Sequence, residues 1–245
     1  MATGNSSTAQ GGILVLGSGG LVGSALVSAL QSLSFRVIEV RNRYDIDLRL
    51  DGALEALLDL EQQREGGIRF CFFLACEVGG SKFLSKTHMQ QITEMYSERM
   101  QQSAMASLSR RGIPFLFASS QLAVSNNNNN NNNNTSKLSQ YGEVKRRGEE
   151  LALASGGKVF RIWNAYGPEP ITFKSHVISD WVYKCLLAAE VHSLTDGHES
   201  RRFAHVDEMA AVLVAMMHNF SQLEPATDLA SDRAVTMREV AGIIS

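Results

Sequence analysis

Apolar residues fall into two kinds of pattern along the chain. A short unbroken run occurs at Ile13-Leu14-Val15-Leu16, and short, mainly apolar segments at Phe35 to Val40, Arg69 to Leu74, Phe115-Leu116-Phe117-Ala118 and Lys158 to Ile162. Runs of this length predict strands buried on both faces of a parallel sheet. Between them the apolar spacing is helical. Leu21, Val22, Ala25, Leu26, Ala29 and Leu30 predict a first helix, and Leu54, Leu57 and Leu58 a second. Residues 85–111 predict a long polar-amphipathic helix with Met89, Ile92, Tyr96 and Met100 on one face. Further helices are expected over 140–154, from His176 to Ala189, and from an N-cap at Asp207 to about Asn219. Thr236 and Glu239 have the spacing of a capping box for a last helix. Strand and helix alternate, which predicts βαβ units with right-handed crossovers in a doubly wound parallel sheet.

Nine consecutive asparagines, Asn126 to Asn134, interrupt the pattern. Such a tract buries nothing, and the reading is a flexible loop over 125–136. Residues 1–12 read as a disordered leader without signal-peptide character. The expected organisation is a nucleotide-binding domain over 13–167. A substrate-binding portion follows over 168–245, interleaved with the last sheet elements and expected to be shortened because the chain stops soon after its last capping box.

Composition narrows the function. The 245 residues are 44% hydrophobic, enough for a sizeable core, with net charge −2, which argues against nucleic acid or an acidic membrane surface as partner. No apolar run approaches the roughly 20 residues of a membrane span. Three cysteines form neither a disulfide framework nor a zinc site, so no metal is expected. The expectation is a soluble, cytoplasmic protein.

Gly17-Ser18-Gly19-Gly20-Leu21-Val22-Gly23 lies between the first strand and the first helix. Gly17, Gly20 and Gly23 give GxxGxxG. Glycines let the backbone approach a pyrophosphate, and the helix N-terminus offers unpaired N–H groups. With strand before and helix after, the motif predicts a dinucleotide site in a Rossmann-like α/β fold. The second strand should end beside the adenosine ribose. Arg41 and Arg43 there suit a 2′-phosphate, so NADP(H) is preferred, with NAD(H) as the alternative because Glu39 stands near the acidic position of NAD sites. Asp47 either reaches the adenine or serves a turn.

Tyr141 and Lys145 stand at i, i+4 on one helix face. A lysine ammonium beside a phenol favours the phenolate, which predicts a lowered Tyr141 pKa and a general acid/base. Ser119 and Ser120, at the end of the fourth strand, can donate to a substrate oxygen.

These motifs, with FLACEVGG at 73–80, RIWNAYGP at 161–168, SHVI at 175–178 and RRFAHVDEMA at 201–210, resemble the extended short-chain dehydrogenase/reductase family. These are the NAD(P)-dependent sugar-nucleotide epimerases and dehydratases. The resemblance covers 13–245 and is strongest to the GDP-L-fucose synthase group. It implies Ser119, Tyr141 and Lys145 as catalytic triad. Tyr141, Lys145, Leu21, Val22 and Ala75 would contact cofactor, Asn164 the sugar nucleotide, and Arg201 its pyrophosphate. His176 would be an acid in epimerisation. It also implies a homodimer packed through the 85–111 and 140–154 helices. Gln121 stands where the fucose-synthase group has a basic cysteine, and Cys76 reads as a small buried residue. Gln121-Leu122 lacks the acidic pair that dehydration needs. The expected activity is an NADP-dependent oxidoreductase/epimerase moving hydride between nicotinamide and a sugar carbon. The alternative is a non-catalytic dinucleotide-binding regulatory protein.

Overall fold

The computed structural model describes residues 11–41, 44–78, 87–124, 138–172, 174–188, 193 and 195–245, with backbone alone over 87–93. The expected leader up to residue 10, Arg43 and the asparagine tract lie outside the described residues.

The centre is a six-stranded sheet in the order β2-β1-β3-β4-β5-β9, every neighbouring pair parallel. Its strands are β1 (Gly12–Leu16), β2 (Val37–Val40), β3 (Ile68–Phe73), β4 (Phe115–Ser120), β5 (Lys158–Ile162) and β9 (Ala226–Leu229). One face carries α1 (Leu21–Ser32) and α6 (Val206–His218); the other carries α2 (Ala53–Gln62), α3 (Thr87–Arg110) and α4 (Gln140–Ala154). Side chains alternate across a strand. Ile13 and Val15 therefore join Leu26, Leu30 and Leu213 in one core, while Leu14 and Leu16 join Leu58, Met105 and Leu108 in the other. Phe70 and Phe72 divide from Cys71 and Phe73 in the same way. Burial on both faces is why these strands read as mainly apolar segments.

The small C-terminal portion is built from α5 (Val177–Ala188) and α7 (Met237–Ile244), which pack around Trp181, Met237 and Val240. Two short pairs accompany it: β6 (Asn164–Tyr166) beside β8 (Phe203–His205), and β7 (Ser200–Arg201) against β10 (Val235–Thr236). The Thr236 capping box forms: Glu239 N–H donates to Thr236 Oγ1 at 3.1 Å and Thr236 N–H to Glu239 Oε2 at 2.7 Å. The cap of α6 differs from expectation. His205 occupies it, with Nδ1 accepting from Asp207 N–H at 3.3 Å, because β8 runs straight into the helix. No helix among the described residues is long and apolar enough to cross a membrane.

β1 pairs with β2 on one side and β3 on the other, so the crossovers leave in opposite directions there. A crevice opens at that switch point, at the carboxyl ends of the strands.

Candidate active site

A cavity of about 1110 Å³ occupies this crevice. That exceeds the ~300–1,000 Å³ of an ordinary single-ligand pocket. It runs from the glycine turn, across the ends of β3, β4 and β5, to α5 and β7, and is lined among others by Gly17, Gly20, Leu21, Val22, Gly23 and Ala75.

The turn is built for close approach. Gly17 has φ +89°, and a Cβ there would meet Ala75 N at 2.7 Å. A Cβ on Gly23 would sit 2.2 Å from Gly17 O. Gly20 caps α1 with no side-chain hydrogen bond, and the first turn holds no acidic residue. Among the described residues no side chain caps the start of α1, so its first-turn amides and the positive end of the helix dipole are available at the cavity wall. This chemistry fits a dinucleotide pyrophosphate.

At the β2 lip, Arg41 Nε donates to Glu39 Oε2 at 3.2 Å, and Arg41 N–H to Asp45 Oδ2 at 2.7 Å. Asp47 lines the cavity, gripped by Arg49 through Nε at 2.7 Å and Nη2 at 2.6 Å. The Arg49 guanidinium lies 4.5 Å from the Tyr96 ring centre.

Helix α4 presents Tyr141, Lys145 and Glu149 along one face. Ser139 fixes its start, Oγ accepting Gly142 N–H at 3.0 Å. Burial pushes the Tyr141 phenol well above its ordinary pKa; the neighbouring Cys76 thiol adds to this, and a hydrogen bond with Ser120 opposes it. This reverses the expected lowering by Lys145. The ammonium is buried, donates to Ala118 O at 2.8 Å, and lies 5.8 Å from the Tyr141 ring centre. Desolvation of a phenolate therefore prevails.

The two serines divide their tasks. Adjacent strand residues point to opposite faces. Ser119 donates to Glu149 Oε1 at 2.5 Å, and Arg161 clasps the same carboxylate through Nε at 2.8 Å and Nη2 at 2.7 Å. Ser120 lines the cavity with Tyr141, and its Oγ accepts Leu122 N–H at 3.3 Å. The Glu149–Arg161 brace went unnoticed in the sequence. Its signal was Glu149, two turns beyond Tyr141 on the same face.

Across the cavity, His176 lies just before α5 and lines the wall. Asn164 Nδ2 donates to Arg202 O at 3.1 Å, and Arg201 lines the far end from β7. Gln121 and Cys76 both line the cavity. Cys76 Sγ is 3.4 Å from Ser97 Oγ and half-buried, so it is a wall residue; Cys71 is the buried thiol.

A family model described as the NAD dependent epimerase/dehydratase family matches residues 13–229. The probable GDP-L-fucose synthase 1 of Oryza sativa subsp. japonica is 26% identical over 263 residues, covering 96% of this chain and 76% of that protein. A GDP-mannoheptose C4 reductase from Campylobacter jejuni, solved with NADP bound, superposes with TM-score 0.78 at 17% identity, covering 96% of this chain and 84% of that one. UDP-glucose 4-epimerase from Thermotoga maritima, solved with UDP-glucose, gives TM-score 0.75 at 21% identity, covering 95% of this chain and 81% of that one. At these identities the structural likeness shows the fold.

Proposed function

From the premise that the chain belongs to the NAD dependent epimerase/dehydratase family, NAD(P)-dependent epimerases and reductases of sugar nucleotides, we propose that it is an NADP-dependent oxidoreductase/epimerase. Its substrate would be a 4-keto sugar nucleotide. The observation that carries this reading is the single cavity that the glycine turn, Ser120, Tyr141 and Lys145 line together. A phenol held protonated starts as the acid. That is the role needed when a carbonyl becomes an alcohol.

Gly17, Gly20, Leu21, Val22, Gly23 and Ala75 would hold the dinucleotide, with Arg41 at the ribose end. When bound, the nicotinamide supplies the hydride chemistry. The resemblance gives the substrate oxygen to Ser119, which also lines the cavity; because Ser119 Oγ donates to Glu149 Oε1, we assign that hydrogen bond to Ser120, and Tyr141 delivers a proton to the same oxygen. Lys145, tied to Ala118 O, stands at the base of Tyr141 to contact the cofactor ribose. Asn164 contacts the sugar nucleotide and Arg201 its pyrophosphate, for which a guanidinium fork is suited. His176 handles a proton at a sugar carbon. Pairing of two copies through α3 and α4 is part of the proposal.

The test is NADPH consumption in the presence of 4-keto nucleotide sugars, with NMR of the products. Oxidation of NADPH, abolished by Tyr141→Phe, supports the reading. Tight cofactor binding with unchanged sugars under every condition overturns it in favour of a non-catalytic binding protein.

A further inference from the structure

Glu169 sits between Pro168 and Pro170, seven residues before His176. Proline after it restricts its backbone to extended conformations. The hairpin it begins is cross-tied: Ser179 Oγ donates to Gly167 O at 3.2 Å, and Ser175 Oγ to Pro170 O at 3.2 Å. Thr172 N–H donates to Ser175 Oγ at 2.6 Å. Within this frame one carboxylate grips one residue twice. Glu169 Oε1 accepts the His176 backbone N–H at 2.7 Å, and Oε2 stands 3.0 Å from His176 Nδ1. The Glu169 side chain is only 10% exposed. An ionised carboxylate accepts and never donates, so the ring must carry its proton on Nδ1.

We propose that Glu169 is a positioning residue whose carboxylate fixes the Nδ1–H tautomer of His176, leaving Nε2 as the atom that exchanges a proton with a sugar carbon. The second half rests on the reading under Proposed function; the tautomer does not. In the step, the C–H bond beside the keto carbon breaks and its electron pair enters an enolate. The proton goes to Nε2 and returns to carbon. Gln121 lines the same cavity but offers no base, whereas the His176 ring does.

Glu169→Gln gives a sharp test. The glutamine carbonyl can still accept the backbone N–H, which cannot move its proton. The amide NH2 then faces Nδ1 donor to donor, unless the ring shifts its proton to Nε2. Long-range proton–nitrogen correlation spectra of the full chain, with the ring neutral and His176→Asn used for assignment, should show Nδ1–H in the native protein and Nε2–H in the variant. Solvent deuterium incorporation into a 4-keto nucleotide sugar should fall about 10–100-fold, the usual effect of losing an orienting partner. Cofactor affinity should stay unchanged. Nε2–H in the native protein, or one tautomer in both, overturns the positioning role. Native tautomer with no deuterium incorporation, while NADPH is still consumed, overturns the proton-transfer half. Failure of NADPH consumption with the stated tautomers sinks the functional reading alone.

Discussion

At the scale of single residues, the division between Ser119 and Ser120 decides what each can do. Ser119 gives its only proton to Glu149, a carboxylate already clasped by Arg161. Ser120 stands at Tyr141. Ser120→Ala is therefore expected to lower kcat about 10²–10³-fold, as loss of one oxyanion donor does. Its stability should fall by about 1 kcal/mol through the lost cap on Leu122. Ser119→Ala should do the reverse: it costs ~1.5–3 kcal/mol in unfolding free energy, for a hydrogen bond to a charged group, and leaves kcat within a few-fold. Steady-state kinetics beside denaturant unfolding separates the two; equal kcat losses would contradict the division. Spacing made both serines visible as strand-end hydroxyls without choosing between them, and the family resemblance pointed to Ser119. That choice depends on which face of β4 meets α4, which no local spacing encodes. The pKa of Tyr141 was illegible for the same reason: spacing brings Lys145 near, but burial of the phenol is a property of the assembled cavity.

At the scale of elements, most boundaries of the central strands and their helices were legible because β1, β4 and most of β3 are buried on both faces and the flanking helices on one. β9 was not: Ala-Thr-Asp-Leu is short and mixed, and becomes a strand only because β5 offers an edge. The packing of α2 on α3 is also invisible in sequence, and charge marks it. Glu55 in α2 pairs with Arg110 at the end of α3 and with Arg111 at 2.8 Å, and Arg111 also meets Asp59 at 2.5 Å. The Arg110 hydrogen bond, with help from Ser107 and Arg111, holds the Glu55 carboxyl down from 4.5 to about 2. A depressed folded-state pKa stabilises above the unfolded value, and that stability is lost as pH falls through the folded one. The Glu55 contribution is thus complete above about pH 5 and fades between pH 4.5 and 2. Glu55→Gln should cost about 1 kcal/mol or less at pH 7, since the cluster is partly solvated. Unfolding curves of the native protein and the variant should converge as pH falls through this window. A difference that persists at pH 2 would assign the effect to packing.

At the scale of the whole molecule, the doubly wound sheet sets its glycine turn at the switch point and the Tyr141 and Ser120 hydroxyls beside the same crevice. One end of the cavity therefore concerns the cofactor's identity and the other the substrate's. The cofactor end rests on two opposed charges. Glu39 would repel a 2′-phosphate and accept from ribose hydroxyls, whereas Arg41 would bind the phosphate. Their contact at 3.2 Å couples them. With Arg41 present, Glu39 is partly neutralised, and on the proposed reading the remaining guanidinium donors would favour NADP(H). Arg41→Ala removes the phosphate donor and leaves Glu39 unopposed, so preference should invert toward NAD(H). Glu39→Gln should keep NADP(H) preferred. A ligand that binds only the folded chain stabilises it by RT ln(1 + [L]/Kd), ~2.7 kcal/mol at a hundredfold excess over Kd. Thermal shifts at matched NADPH and NADH concentrations thus report the preference without any turnover. A larger shift with NADPH in the native chain, reversed in Arg41→Ala, supports the two-charge account. Equal shifts with both cofactors in every variant would place the discriminating contacts elsewhere along the lip.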